Sequence, residues 1–262
     1  MSTIMSGKRG LVLGVANDKS IAWGIARELA AHGAELAFTY QGEAFGKRVT
    51  PLAESLGASI IMDTDVTDDA SLDALFDRIG SEWSRLDFLV HAIAFAQKED
   101  LTGRFKDTSR AGFAKALDIS AYSFVDLSNR AAKLMPDGGS IVTVTYAGSH
   151  RVQPYYNVMG VAKAALESAT LYLANDLGPD NIRVNAISPG PMRTLAGAAI
   201  GGARKVYRTT EANAPLGGNA TLESVGGAAV YLLSDLSAHT TGEIIRVDGG
   251  YHVLGMAQEE NL

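Results

Sequence analysis

The chain contains no cysteine. That absence excludes disulfides, thiol nucleophiles and cysteine-built metal centres, and it agrees with a reducing compartment such as the cytoplasm. Basic charge is also scarce. The 23 Lys and Arg stand against 29 Asp and Glu, a net charge of −6, and no Lys/Arg run stands out. A surface that neutralises phosphates needs the opposite balance, so nucleic acid is not an expected partner. No apolar stretch approaches the roughly 20 residues that a membrane helix needs, and the first residues lack the apolar core of a secretion signal. The expectation is a soluble cytoplasmic protein that does not enter a membrane. His32, His91, His150, His239 and His252 are scattered without ligand spacing, so they are assigned structural or surface roles and no metal is expected. Ser149 beside His150 is not read as a hydrolase dyad: the nucleophile-elbow pattern is missing, and adjacent residues rarely face each other.

What the chain does have is alternation. Its 262 residues can bury the core of one large α/β domain. Apolar runs read as strands at 10–13, 35–40, 59–63, 88–92, 140–145, 183–187 and 244–247. Helical patterns lie between them, near 21–32, 44–56, 71–82, 111–134, 155–177 and 222–234. The expected fold is a single-domain Rossmann fold over residues 1–262, a seven-stranded parallel sheet with helices on both faces. Ligands then belong at the C-terminal edge of the strands. No linker, low-complexity tract or repeat interrupts the pattern. The segment 190–218, rich in Gly and Ala, is poorly patterned, and long unpatterned loops are usually functional or mobile.

The first strand ends at Gly14, and the helix pattern starts at Ile21. Between them, Gly14-Val15-Ala16-Asn17-Asp18-Lys19-Ser20 takes the place of a glycine-rich dinucleotide turn, where backbone and helix N-terminus meet a pyrophosphate. Only Gly14 and Gly24 of the G-x-G-x-x-G pattern remain, and Ser20 replaces the central glycine. Gln41 follows the second strand, where NAD enzymes often carry an acid and NADP enzymes a base. A neutral amide suits a free ribose 2′-hydroxyl better than a phosphate; Lys47 and Arg48 are read as solvated residues of the next helix. The run 63–69 lacks the glycine and terminal glutamate of a calcium loop, and is read as a strand end plus acidic helix start.

Farther along stand Tyr156 and Lys163, with Tyr146 upstream. On a helix, seven residues place the first two on one face about 10 Å apart along the axis. A lysine held near a tyrosine favours the phenolate and lowers the phenol's pKa, which makes it a usable proton donor. Met159 is read as packing.

Several stretches resemble the short-chain dehydrogenase/reductase superfamily and, within it, the bacterial enoyl-acyl-carrier-protein reductases. They are Ser20-Ile21-Ala22, Phe38-Thr39-Tyr40-Gln41, His91-Ala92-Ile93-Ala94-Phe95-Ala96, Asp118 to Phe124, Tyr156-Asn157-Val158-Met159-Gly160 and Arg193-Thr194-Leu195-Ala196. The resemblance implies an NADH-dependent reduction of the C2=C3 bond of an enoyl thioester on acyl carrier protein, by a homotetramer. It assigns the cofactor to Gly14, Ser20, Ile21, Gln41, Asp65, Val66, Ile93, Ala94, Lys163, Met192, Arg193, Thr194, Leu195 and Ala196. Catalysis falls to Tyr146, Tyr156 and Lys163, and substrate contact to Ala96, Tyr146 and Tyr156. Where the family usually has glycine, this chain has Ala94.

Carbonyl-reducing members of the superfamily carry their tyrosine four residues before the lysine and a serine thirteen residues before that tyrosine. Here those positions hold Met159 and Tyr146. In conjugate reduction the hydride lands on C3 while charge gathers on the thioester oxygen, so the proton donor belongs farther out, as Tyr156 is. A carbonyl reductase or hydroxyacyl dehydrogenase of the same superfamily, and a nucleotide-sensing regulator on this fold, are the alternatives. The segment 194–207 is expected to be a mobile lid, with Ile200 and Val206 offering apolar contact to the acyl chain.

Overall fold

Strand β1 (Arg9–Leu13) shows how the sheet is buried on both faces. Successive side chains of a strand point to opposite sides. Val12 therefore packs with Phe38, Val90 and Val142 on one face, while Leu11 and Leu13 pack with Leu89 and Ile141 on the other. The other strands are β2 (Glu35–Tyr40), β3 (Ile60–Asp63), β4 (Phe88–His91), β5 (Gly139–Val144), β6 (Ile182–Pro189) and β7 (Ile244–Val247). All pairings are parallel, in the order β3-β2-β1-β4-β5-β6-β7. This computed structural model describes residues 3–198 and 201–261, with the side chain of Ala198 left aside.

The chain steps outward from β1 to β3, then crosses back to lay β4 beside β1, with Val12 opposite Val90. That reversal is the switch point at which open parallel sheets bind ligands. Helices α1 (Ile21–Ala31) and α9 (Leu222–Leu233) cover one face through Trp23, Ile25, Leu29, Val225 and Leu232. At their crossing, a Cβ on Gly24 would lie 2.7 Å from the Leu222 side chain. Helix α2 (Glu43–Ser55) adds Val49 and Ala53 to this side. The opposite face carries α3 (Asp69–Trp83), α5 (Ser123–Ala132) and α6 (Asn157–Leu177), through Leu72, Leu75, Ile79, Phe124, Leu127 and Leu166.

The seven strands stand where the sequence places them, to within two residues at each end. Two expected helices and one expected loop need correction. The helix expected over 111–134 is α4 (Arg110–Leu117), then one π-helical turn (Asp118–Tyr122), then α5. Such bulges recur at functional sites. The helix expected from 155 begins at Asn157, because left-handed Tyr155 (φ 60°) cannot join it; Asn157, its first residue, is left-handed too (φ 39°). The segment 190–218 is not structureless: it holds α7 (Leu195–Ala198) and α8 (Ala203–Asn213). Ala199 and Ile200, and with them the contact expected of Ile200, lie outside the described residues. Among the described residues no helix is long and apolar enough to cross a membrane.

Candidate active site

The turn after β1 is built on close approach. Gly14 has φ 103°, and a Cβ there would lie 2.1 Å from the Ala92 carbonyl oxygen at the end of β4. Only glycine lets the two switch-point strands end this near each other. Ser20 completes the turn: its Oγ accepts from Ala16 N at 3.0 Å and Asn17 N at 3.1 Å. Because that hydroxyl does not cap α1, the helix N-terminus, which begins at Ile21, remains an anion-binding end.

At the end of β2, Gln41 Nε2 donates to Asp65 Oδ2 at 2.8 Å, so the structure joins two residues assigned separately to the cofactor. Asp65 Oδ1 accepts from Thr67 N and Oγ1, at 2.9 and 2.7 Å. The Thr67 backbone N–H is the chief reason its carboxyl lies below the usual range. Val66, beside it, is half-buried. Lys47 and Arg48 are exposed on α2, and Lys47 pairs with Glu43 at 2.7 Å. Neither is on the strand end.

At the β4 end, Ile93 is half-buried and Ala94 exposed. The following Phe95 is pinned from both sides of its backbone: its N–H donates to Ser120 Oγ at 3.0 Å, and Ser120 Oγ donates to its carbonyl at 3.1 Å. Ser120 sits in the π-helical turn, which gives that irregularity a purpose. After β6, Thr194 Oγ1 accepts from Gly197 N at 2.9 Å and starts α7, on which Leu195 and Ala196 are exposed. Arg193 stacks its guanidinium 4.4 Å from the Tyr207 ring centre. Met192, Arg193 and Tyr207 share a cleft of about 260 Å³ with Lys19 of the glycine turn and Thr221.

Lys163 is buried in α6, and its Nζ donates to the Val144 carbonyl at the end of β5, at 2.7 Å. Tyr156 is buried at the N-cap of α6, in right-handed backbone, between the left-handed residues Tyr155 and Asn157. A Cβ on Gly148 would lie 2.3 Å from Tyr156 Cδ1, so the 147–149 turn presses directly on the phenol ring. Tyr146 meets Tyr156 edge to face, with ring centres 5.1 Å apart and planes at 64°. Leu101, Tyr156, Met159 and Ala162 form an apolar cluster of their own, against which Ala96, Leu117 and Tyr146 pack. The three residues assigned to substrate contact are thus together.

The acidities correct one expectation. Burial, with Tyr146 and Glu167 adding to it, drives the Tyr156 hydroxyl well above the ordinary tyrosine value rather than below it. Burial lifts Tyr146 to about 12, with Tyr251 contributing. Lys163 is lowered to about 8 by burial, against the opposing pull of Glu167. Both phenols therefore stay protonated at neutral pH and act as hydrogen-bond donors. The lysine spends its hydrogen bond on the strand, not on the phenol.

Sequence reasoning missed Glu167, which accepts from Thr145 Oγ1 at 2.7 Å. Its signal was available: it lies four residues after Lys163, on the same side of the helix. Ser120 lies in the stretch Asp118 to Phe124 that carries the resemblance, but was given no role; Leu101, Leu117 and Tyr251 reach the site only through chain crossings, and carried no signal. His91 is structural: fully buried, bonded to Thr143 and Ser123 through its two ring nitrogens, and lowered by desolvation to about 3. Ser149 and His150, against expectation, do face each other at 3.1 Å. They are surface residues, and among the described residues no carboxylate orients the imidazole.

A parallel sheet with a glycine turn at its switch point, and a tyrosine–lysine strip beside the same strand ends, defines a dinucleotide-dependent reductase of the short-chain dehydrogenase type. A family profile described as "Enoyl-(Acyl carrier protein) reductase" matches residues 14–252. Enoyl-[acyl-carrier-protein] reductase [NADH] 1 of Rhizobium meliloti (strain 1021) is 56% identical over 255 residues, 97% of this chain and 94% of that one. The crystal structure of the Anaplasma phagocytophilum reductase in complex with NAD is 53% identical, with a TM-score of 0.95 over 98% of each chain. The Bacillus cereus enzyme, solved with NADP+ and indole naphthyridinone, is 50% identical, with a TM-score of 0.95 over 98% of this chain and 100% of that one. The chain belongs to the enoyl-acyl-carrier-protein reductase family.

Proposed function

We propose that the protein reduces the C2=C3 double bond of trans-2-enoyl thioesters on acyl carrier protein with hydride from NADH, the last step of bacterial fatty-acid elongation. The observation that carries this reading is the pair of neutral phenols, Tyr146 and Tyr156, beside a separate apolar cluster, with Met159 where a carbonyl reductase has its tyrosine. The dinucleotide fits these residues: Gly14 lets the β1 turn close against the end of β4, and the α1 N-terminus, whose N–H groups are not capped by a side chain, faces the same edge. Bound there, the reduced nicotinamide supplies the hydride. Ser20 and Ile21 hold the pyrophosphate end, Gln41 the adenosine ribose, and Asp65 with Val66 the adenine. Ile93, Ala94 and the run Met192-Arg193-Thr194-Leu195-Ala196 flank the nicotinamide.

As negative charge gathers on the thioester oxygen, Tyr156 donates to it and supports protonation of the enolate. Tyr146 shares the polarising role, and Ala96 lines the acyl path. Lys163 holds ribose hydroxyls, and its ammonium field eases charge onto the oxygen. The test is NADH oxidation at 340 nm with an enoyl thioester and, separately, a 3-ketoacyl thioester. Turnover of the enoyl compound alone is expected; turnover of the ketone alone would make this a carbonyl reductase, and turnover of neither a sensor.

For cofactor choice, Gln41 is bonded to the Asp65 carboxylate, which would repel a 2′-phosphate, and Lys115 acts on that carboxylate through its charge without a hydrogen bond to it. NADH should exceed NADPH in kcat/KM by about tenfold or more, the scale of one lost charged contact. Since the Bacillus cereus relative was solved with NADP+, the two cofactors should be compared side by side. An NADPH preference would shift the role to Lys47 or Arg48.

The assembly is proposed to be a cytoplasmic homotetramer. Tyr122, Leu171 and Tyr172 expose 61%, 54% and 72% of their surface along the π-turn and α6, as helix–helix interfaces require. Light scattering at micromolar concentration should give four chains, and a stable monomer would refute this. The segment 194–207 is proposed as a mobile lid. Hydrogen exchange there should slow on adding NAD with an acyl analogue, and core-like protection in the free protein would make it a fixed wall.

A further inference from the structure

Tyr155 belongs to none of the roles above, and half-exposed aromatics on loops are ordinarily unremarkable surface. Its surroundings are not ordinary. A Cβ on Gly201 would lie 3.0 Å from Tyr155 Cγ and 3.1 Å from Cδ1. A Cβ on Gly202 would lie 3.0 Å from Cδ2 and from Cε2. Two consecutive glycines thus lay their backbone against the two edges of one ring, at a distance side-chain-bearing residues would crowd. They are also the residues that lead into α8, with Gly202 itself left-handed at φ 71°.

The backbone of Tyr155 is left-handed too, as is that of Asn157, so Tyr156 sits between two strained neighbours. Such conformations persist where the surroundings over-determine them. Here each neighbour has a different tether. Tyr155 touches the entry to α8; Asn157 Nδ2 donates to the Gly103 carbonyl at 3.4 Å. Gly103 follows Leu101, a member of the apolar cluster around Tyr156. The tripeptide Tyr155-Tyr156-Asn157 is therefore clasped between the entry to α8 and the 101–103 segment, which supplies Leu101 to the apolar cluster.

We propose that Tyr155 is a positioning residue: its ring seats the start of α8 beside Tyr156, and so couples the cover of the acyl chain to the placement of the catalytic phenol. This rests on the reading of the apolar cluster as the acyl site. The ring touches no reacting atom, so its effect falls on retention of a long chain more than on the chemical step. The contact is a van der Waals fit between ring and glycine backbone. The tyrosine hydroxyl is not part of it.

The test compares Tyr155→Ala, Tyr155→Phe, Gly201→Ala and the Tyr155→Ala/Gly201→Ala double variant. KM and kcat are measured for dodecenoyl and crotonyl thioesters, and exchange of the α8 amides is followed in the ligand-free protein. Tyr155→Ala should raise KM for the long substrate by about tenfold, more than it lowers kcat, with a smaller change for crotonyl. The α8 amides should exchange faster, and Tyr155→Phe should restore both readouts. Gly201→Ala should resemble Tyr155→Ala alone but add nothing to it, because the crowded partner has gone. Wild-type exchange and KM in Tyr155→Ala, or full additivity in the double variant, would overturn the proposal. The exchange arm uses no substrate, so it stands even if the enoyl reading fails.

Discussion

Lys163→Ala is expected to lower kcat/KM by about a thousandfold, the scale of removing a pre-placed charged donor from a dry site. NADH affinity should fall with it. Two losses combine: the ammonium proposed to hold the ribose hydroxyls disappears, and the Val144 carbonyl at the end of β5 is left without its partner. The same residue sets a pH dependence. Its folded pKa is about 8, below the free lysine value, so the ammonium is present below that pH and lost as pH rises through it. NADH binding should therefore weaken above about pH 8, while the tyrosines, raised by burial, remain protonated throughout. Groups acting on that pKa include Glu167, which raises it, and neutral His91 does not compete for the proton. Fluorescence titration of NADH against Lys163→Ala and across pH checks both parts, and unchanged binding would remove the lysine from the cofactor site.

Tyr156→Phe should lower kcat by about a hundredfold with little change in KM, since the hydroxyl is proposed to bond most strongly to the developing oxyanion. The ring itself should stay in place, held by the Gly148 turn and the edge contact with Tyr146. Tyr146→Phe should cost less, and the double variant less than the product of the two, because both donors serve one oxygen. If Tyr156→Phe turns over the natural thioester at the wild-type rate, the donor is Tyr146 or a water.

Most of the fold was legible because β1, β4, β5 and β6 are short apolar runs buried on both faces, the signature of a parallel sheet. The turn after β1 was legible from Gly14 and from the helix pattern that starts at Ile21, although its spacing departs from the glycine-rich pattern and Ser20 replaces the central glycine. The residues proposed for catalysis were legible as composition but not as geometry. Periodicity put Tyr156 on a helix, whereas left-handed Tyr155 and Asn157 delay that helix, and nothing in their side chains announces it. The π-turn at Asp118–Tyr122 is invisible for a similar reason. Its residues suit an α-helix, and only the reach of Ser120 to Phe95 shows why the turn is there. Helix α8 was hidden by the glycines before it and by its charge, although Ala203, Val206 and Tyr207 recur at helical spacing. The acidity of Tyr156 depends on burial from several elements at once, which local spacing cannot report.

The central claim is that hydride reaches C3 of an enoyl thioester while Tyr156 serves the thioester oxygen. The most direct measurement uses NADH deuterated at the transferring C4 position, with enoyl-acyl-carrier-protein as substrate and mass analysis of the product. Deuterium at C3 of a saturated acyl chain, and solvent hydrogen at C2, is the predicted result. Recovery of the enoyl thioester unreduced, while a parallel reaction with 3-ketoacyl-acyl-carrier-protein places deuterium on its carbinol carbon, would contradict it.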